Sequence, residues 1–371
     1  MKRLIVIGIN YISLKIQLLI NSQNCSIEAF VSDNPNNIGK HINSIPVIPL
    51  SDLNKFNYDY IILVNDMMLE SNDNKILNLN EFIRYFYDFE IYRSFFQYEE
   101  KKKNLHAFIT GLSFAEVGIN ANEFPFSTVN FANSSQDLYF DYNIAKYIFS
   151  NKNYCKNIEY CFIGLSYYSF NYDLSKSSLK ERVWFYYPFL KTLHNYTDTN
   201  NILNKLTLFE SIEREVLTNN FKSTLFQLLA TINEANWDKF VSGVFSASKK
   251  DEGIRLALKD SKKNFPLTVQ ENISILNEYI KLLKVNNVTP IIVICPTTNY
   301  YYDNISSNIK KAFNQILSYF KDTEQVTIID YFESNFFDYI DFYDATHLNK
   351  HGSKKFTNLL IEEISKIQSL V

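Results

Sequence analysis

Glycine is scarce in this chain, with eight in 371 residues. The shortage bears first on dinucleotide binding. The first strand-to-helix turn reads Gly8-Ile9-Asn10-Tyr11, one glycine where the fingerprint needs three. Such a turn cannot let its backbone approach a pyrophosphate, so Asp33, placed where an acidic residue would meet a ribose, has no partner motif. Cysteine is equally sparse. Cys25, Cys155, Cys161 and Cys295 form no CxxC pair and no metal-ligand spacing. Cys161 and Cys295 fall inside strand-like apolar runs, where a cysteine acts as a small hydrophobe, and a reducing compartment is expected. Positive charge is not in surplus. With 37 Lys and Arg against 40 Asp and Glu the net charge is −3 and the pI near 6.0, which argues against a nucleic-acid-binding face. Nor does any stretch reach the roughly eighteen apolar residues of a membrane helix. Met1-Lys2-Arg3 followed by Leu4–Ile9 imitates a secretory signal, but the run breaks at Asn10, Lys15 interrupts it, and no small-residue cleavage site follows. The start is expected to be a buried strand and the protein cytoplasmic.

Aromatic residues are what the chain has in abundance, 26 Tyr and 31 Phe. Most lie in apolar runs, so they read as core rather than as sugar-stacking platforms. An apolar share of 46% and a mean hydropathy of −0.18 suit an ordinary soluble protein with a large core. The length points to two domains.

The order of elements predicts α/β architecture twice over. Arg3–Gly8, Ser26–Val31, Ile45–Ile48 and Tyr60–Val64 are short β-branched runs separated by helical or polar segments. They predict a small Rossmann-like parallel sheet over residues 1–100. Glu99-Glu100-Lys101-Lys102-Lys103-Asn104 is a charged, solvated junction. Beyond it, Leu105–Thr110, Thr128–Ala132, Ile158–Ile163, Pro290–Cys295 and Val326–Asp330 predict a second α/β sheet within residues 104–371. Residues 173–287 form a helical insertion, with its clearest helices at Leu206–Leu217, Lys222–Ala235 and Val269–Val285. It is either a lid over the sheet or a plain buttress. In such sheets the site lies beyond the carboxyl ends of the strands, where Ser113, Ser134, Ser166 and Thr297 should gather.

Chemistry concentrates in Phe342-Tyr343-Asp344-Ala345-Thr346-His347-Leu348-Asn349-Lys350-His351-Gly352. An aspartate three residues before a histidine, on a loop leading into a helix, can orient that histidine as a general base. The nucleophile must then come from elsewhere. Ser113, in Gly111-Leu112-Ser113 after the fifth apolar run, is the first choice, and Ser166, in Gly164-Leu165-Ser166, is the second. The structural alternatives are helix caps: Ser113 with Glu116 as a capping box, and Asp344 at the start of the last helix. A metal site is the other option, since His347 and His351 are four apart. The glutamate of His-Glu-x-x-His is absent, however, and Gly352 places the helix start near His351, so no metal is expected. His41, His106 and His194 have no ligand-like neighbours in the sequence and read as structural or exposed.

These blocks in this order resemble the SGNH (GDSL-like) hydrolase superfamily over residues 104–371, most specifically in Asp344–Gly352. The nearest flavour is that of acyl-handling members that modify bacterial surface polymers. Residues 1–100 resemble, in pattern only, the small N-terminal domains of bacterial sugar acyltransferases and related glycan-modifying proteins. The resemblance implies Ser113 as nucleophile, His347 as base and Asp344 as its orienting carboxylate. It also implies an oxyanion hole built from the Ser113 N–H, the second-block turn at Ser134 and Ser135, and Ser166. Two departures stand out. A serine replaces the second-block glycine in Asn133-Ser134-Ser135, and Ser166 stands where the third block carries asparagine. Leu112 also takes the place of the aspartate that gives the family one of its names. Losing one oxyanion donor costs about a hundred- to a thousandfold in rate. The implied function is acyl-ester (chiefly acetyl) hydrolysis or O-acyl transfer on a carbohydrate in surface-glycan biosynthesis. No resident cofactor is expected, and an acyl donor such as acetyl-CoA would serve a transferase. The alternative is a catalytically weak relative that binds glycan or partner proteins in a biosynthetic complex. A nicotinamide-dependent sugar enzyme is disfavoured by the missing glycines.

Overall fold

Strands and helices alternate through both halves of the computed structural model, which describes residues 1–65 and 75–368. The chain forms two compact units. One comprises residues 1–89 and 196–233, the other residues 90–195 and 234–371. The junction expected at Glu99–Asn104 instead lies within the second unit, as the end of the helix Phe89–Lys101 and a following 3-10 turn. Part of the expected insertion, residues 196–233, belongs to the first unit.

In the first unit the strands are β1 (Lys2–Ile7), β2 (Cys25–Val31), β3 (His41–Ile42), β4 (Ile45–Ile48), β5 (Tyr60–Leu63) and β6 (Ile76–Asn78). They lie in the order β3-β4-β2-β1-β5-β6, parallel except for the β3–β4 hairpin. Asn43 and Ser44 both take positive φ, as the two-residue turn of a tight hairpin demands. Ile5, Ile7, Ala29, Val31, Ile61 and Leu63 form its apolar layer. Side chains close the loop after β1. Asn10 and Ser13 cap each other at 3.0 and 2.7 Å, and Asn10 Nδ2 donates to the Val64 carbonyl at 2.7 Å. The returning segment completes this unit. Phe82 stacks on Phe209 with ring centroids 3.6 Å apart, and Ile20 bridges Leu217.

The second unit holds β7 (Ala107–Gly111), β8 (Thr128–Asn130), β9 (Tyr160–Leu165), β10 (Thr289–Ile294) and β11 (Thr327–Asp330), all parallel. Their order is β11-β10-β9-β7-β8, which by appearance is 2-1-3-4-5, the flavodoxin-like arrangement. The order reverses between β7 and β9, and that switch point is where Ser113 emerges. Strand ends fall within one or two residues of the apolar runs, because burial on both faces makes central strands continuously apolar. Gly111 ends β7 at φ +134°, and a Cβ there would stand 2.3 Å from the Gly164 carbonyl oxygen, so only glycine fits. The sheet packs through Ile109, Phe162, Ile291 and Val293 against Phe114, Phe356 and Leu360 of its helices. All four cysteines are free and buried. No helix among the described residues is long and apolar enough to cross a membrane.

Candidate active site

Ser113 follows β7 as the first residue of the short helix Ser113–Gly118. It is not the cap. Leu112 holds that position without a side-chain bond, and Glu116 accepts from Ser134 Oγ at 2.8 Å instead of closing a capping box. The first N–H groups of a helix have no intrahelical partner, which leaves the Ser113 N–H available at the helix start. The serine hydroxyl lies 2.8 Å from His347 Nε2.

His347 is delivered by a small closed loop. Phe342 bridges Leu348, and the Tyr343 N–H donates to the His347 carbonyl at 2.8 Å. Inside the loop, Asp344 Oδ1 accepts from the backbone N–H groups of Thr346 and His347 at 2.8 and 2.9 Å. Asp344 is therefore the organiser of its own turn and not the cap of the last helix, which begins six residues later at Lys350. That capping role falls to Asn349, whose Oδ1 accepts from the N–H groups of His351 and Gly352 at 3.0 Å each. Its Nδ2 donates to the carbonyls of Gly243, Ile340 and Phe342. The turn after β10 holds the loop from the other side, as Thr298 donates both its N–H and its hydroxyl to the Ala345 carbonyl.

The remaining bonds set the proton positions. Asp344 Oδ2 lies 2.9 Å from His347 Nδ1, while Thr346 Oγ1 donates to Asp344 Oδ1 at 3.0 Å. Burial alone would raise the Asp344 carboxyl. The hydrogen bonds and charge of His347, with those of Thr346, outweigh it and pull the group down to about 2. An ionised Asp344 keeps the ring proton on Nδ1, which makes Nε2 the acceptor facing Ser113. Both side chains are about a fifth to a quarter exposed, so they are screened but reachable. The Phe114 ring packs on the imidazole at 5.4 Å.

In front of Ser113 and His347 opens a cavity of about 630 Å³. Its walls include Tyr168 and Tyr172 after β9, and Leu256 and Phe265 from the insertion. Two stretches of the insertion in the second unit, within 173–179 and 256–268, thus wall the site. Ser135 lines the cavity at φ +65°, the left-handed conformation that glycine adopts freely. The other two serines are disposed differently. Ser134 spends its hydroxyl on Glu116, and Ser166 is buried, its N–H given to Ser169 Oγ at 2.8 Å. Ser166 is not among the cavity-lining residues. Thr297 turns toward the Phe332 carbonyl, away from the cluster expected of it. Asn133 is the residue sequence reasoning passed over. Its Oδ1 is held by Arg182 at 2.8 Å, and its buried Nδ2 is a donor with no partner among the described residues. Its place in the Asn-Ser-Ser turn was the only signal.

His351 points to Asp341 at 2.7 Å and shares nothing with His347. His194 requires correction, because it has acidic neighbours after all. Asp137, Asp173 and His194 bring one ligand atom each within 4.8 Å of one another, and Glu271 lies 3.0 Å from His194 Nε2. Those partners are 57, 21 and 77 residues away, beyond any sequence window. The carboxylates already have protein donors. Asp137 takes the N–H groups of Phe140 and Leu174, and Asp173 takes Asn195 and Lys176. Burial pushes Asp137 up to about 6, against the pull of His194. The group is an ion-pair network rather than an open ligand set.

Residues 1–81 match the family model C2185-like, N-terminal. No curated protein matches the chain. Among solved structures, a candidate acylhydrolase from Bacteroides fragilis is similar over 73% of this chain and 95% of its own, at 10% identity and a TM-score of 0.37. A GDSL-like lipase from Bacteroides thetaiotaomicron is similar over 75% of this chain and 100% of its own, at 10% identity and a TM-score of 0.35.

Proposed function

We propose that this chain is a serine-dependent acyl-ester (chiefly acetyl) hydrolase or O-acyltransferase of the SGNH type, acting on a carbohydrate in surface-glycan biosynthesis. The observation that carries the reading is the continuous hydrogen-bonded chain Ser113–His347–Asp344, whose serine and histidine line a cavity. In the first half-reaction Ser113 Oγ attacks the ester carbonyl and gives its proton to His347 Nε2. The imidazolium that forms is held by Asp344. Collapse of the tetrahedral intermediate breaks the bond to the leaving alcohol, which takes the proton back from His347. Water or a sugar hydroxyl then resolves the acyl-Ser113 through the same base. The Ser113 N–H and the backbone of Ser135 are the donors proposed for the oxyanion.

A second reading is supported by the engaged Ser134 and the buried Ser166: a weak or inactive relative that binds glycan or a partner protein. Hydrolysis of p-nitrophenyl acetate, with active-site phosphonate labelling and mass mapping, separates the two. Label on Ser113 and a loss of at least a thousandfold in kcat for Ser113→Ala and for His347→Ala, but not for Ser166→Ala, is the expected result. No label and equal background rates in all four proteins would overturn the acyl-transfer reading and put the binding reading in its place.

A further inference from the structure

The cavity in front of Ser113 differs in charge from the chain as a whole. Lys176, Lys259, Lys262 and Lys263 line it, against Asp173 and Asp260. Four cations to two anions leave an excess of two positive charges, in a chain whose net charge is −3. Both carboxylates are buried and bonded inward. Asp260 accepts from the Tyr301 hydroxyl at 2.7 Å and from Lys263, and Asp173 accepts from Asn195, Ser175 and Lys176. Lys263 is further fixed with its ammonium 3.5 Å from the centre of the Tyr168 ring. Lys259 and Lys262 are exposed at the cavity wall and have no ion-pair partner among the described residues. Unpaired cations on a concave, partly apolar wall concentrate a positive potential where the substrate must enter.

We propose that the acyl group processed at Ser113 is carried by an anionic molecule, whose carboxylate or phosphate is met by Lys259 and Lys262. The proposal rests on the acyl-transfer reading of Ser113 and narrows its substrate class to acidic carriers. Two sources share this chemistry: the carboxylate of an acidic sugar, and the phosphates of a nucleotide-bearing thioester donor. A neutral glycan supplies neither.

The test compares wild type with the Lys259→Gln/Lys262→Gln double variant. The substrates are an O-acetylated hexuronate oligosaccharide, acetyl-CoA and an O-acetylated neutral oligosaccharide. Wild type should prefer an anionic substrate, and the ratio of kcat/KM for anionic over neutral substrate should fall roughly tenfold in the double variant, mainly through KM. Added salt should reproduce part of that fall in wild type and less in the variant. A loss confined to the uronate ester assigns the lysines to the sugar carboxylate, and one confined to acetyl-CoA assigns them to the donor phosphates. Equal rates on anionic and neutral substrates in wild type, or an unchanged ratio in the variant, overturns the proposal. If wild type turns over none of them, the acyl-transfer reading has failed separately. The anion proposal is then decided by calorimetric titration with the deacetylated uronate oligosaccharide and with CoA. Binding weakened about tenfold in the variant upholds it, and absence of binding to both by wild type ends it.

Discussion

Asp344 does two jobs with two oxygens. Oδ1 ties the backbone of its own turn and the Thr346 hydroxyl, and both oxygens meet the imidazole Nδ1, Oδ1 at 3.0 Å and Oδ2 at 2.9 Å. Asp344→Asn keeps the shape of the turn but can hold the wrong ring tautomer toward Ser113. The expected loss in kcat is on the order of 10²–10⁴, with phosphonate labelling slowed in parallel. The same residue leaves a stability signature. Its folded value of about 2 lies below the usual carboxylate value, so it stabilises the fold above pH ~4, and that stability is lost as pH falls toward 2. The contribution is about 2 kcal/mol. Urea unfolding at pH 5 and pH 2.5 should therefore show a smaller pH-dependent loss in Asp344→Asn than in wild type. Identical losses would assign acid sensitivity elsewhere. The Asp–His spacing was readable in the sequence, and block order ranked Ser113 ahead of Ser166, but local context did not separate the two serines. Both follow Gly-Leu, and what separates them is a histidine 234 residues beyond Ser113.

Among the elements, the last helix and the loop before it explain the block Asp344–Gly352. Asn349 caps the helix with its oxygen and binds three carbonyls with its nitrogen. Gly352, in the first turn, lies so close to the preceding loop that a Cβ would stand 2.1 Å from the Asp341 carbonyl oxygen. Gly352→Ala should therefore push the helix off its seat and destabilise the protein by about 1–3 kcal/mol, read from the urea midpoint. Activity should fall with it, since the His347 loop hangs on that seat. The motif is legible in the sequence as a run of letters. Its cause is not, because a glycine chosen for close approach looks no different from one that ends a helix. Ser113 and Asp344 show the same limit: both suited helix caps by local rules, and neither is one.

At the scale of the whole molecule, the chain visits its first unit twice. Residues 1–89 form the sheet, and residues 196–233 return to supply Phe209 against Phe82 and Leu217 beside Ile20. A fragment of residues 1–89 alone should melt without a cooperative transition, and co-expression with residues 196–233 should restore one, followed by circular dichroism. A cooperative melt of the short fragment by itself would show the returning segment to be dispensable.

The sequence by itself determined the two mainly parallel α/β sheets, because strands buried on both faces must be continuously apolar and their connections amphipathic. It also determined the absence of a glycine-rich phosphate turn and the Asp344–His347 pair, since both depend on residues within a few positions of each other. Only the tertiary structure decided that the Ser113 hydroxyl lies within hydrogen-bond distance of His347, that residues 196–233 complete the first unit, that His194 sits among three carboxylates, and that four lysines line one cavity with Ser113. Each of these joins groups far apart along the chain. A local pattern records what a residue needs from its neighbours in sequence, whereas charge and hydrogen-bond partners are set by neighbours in space.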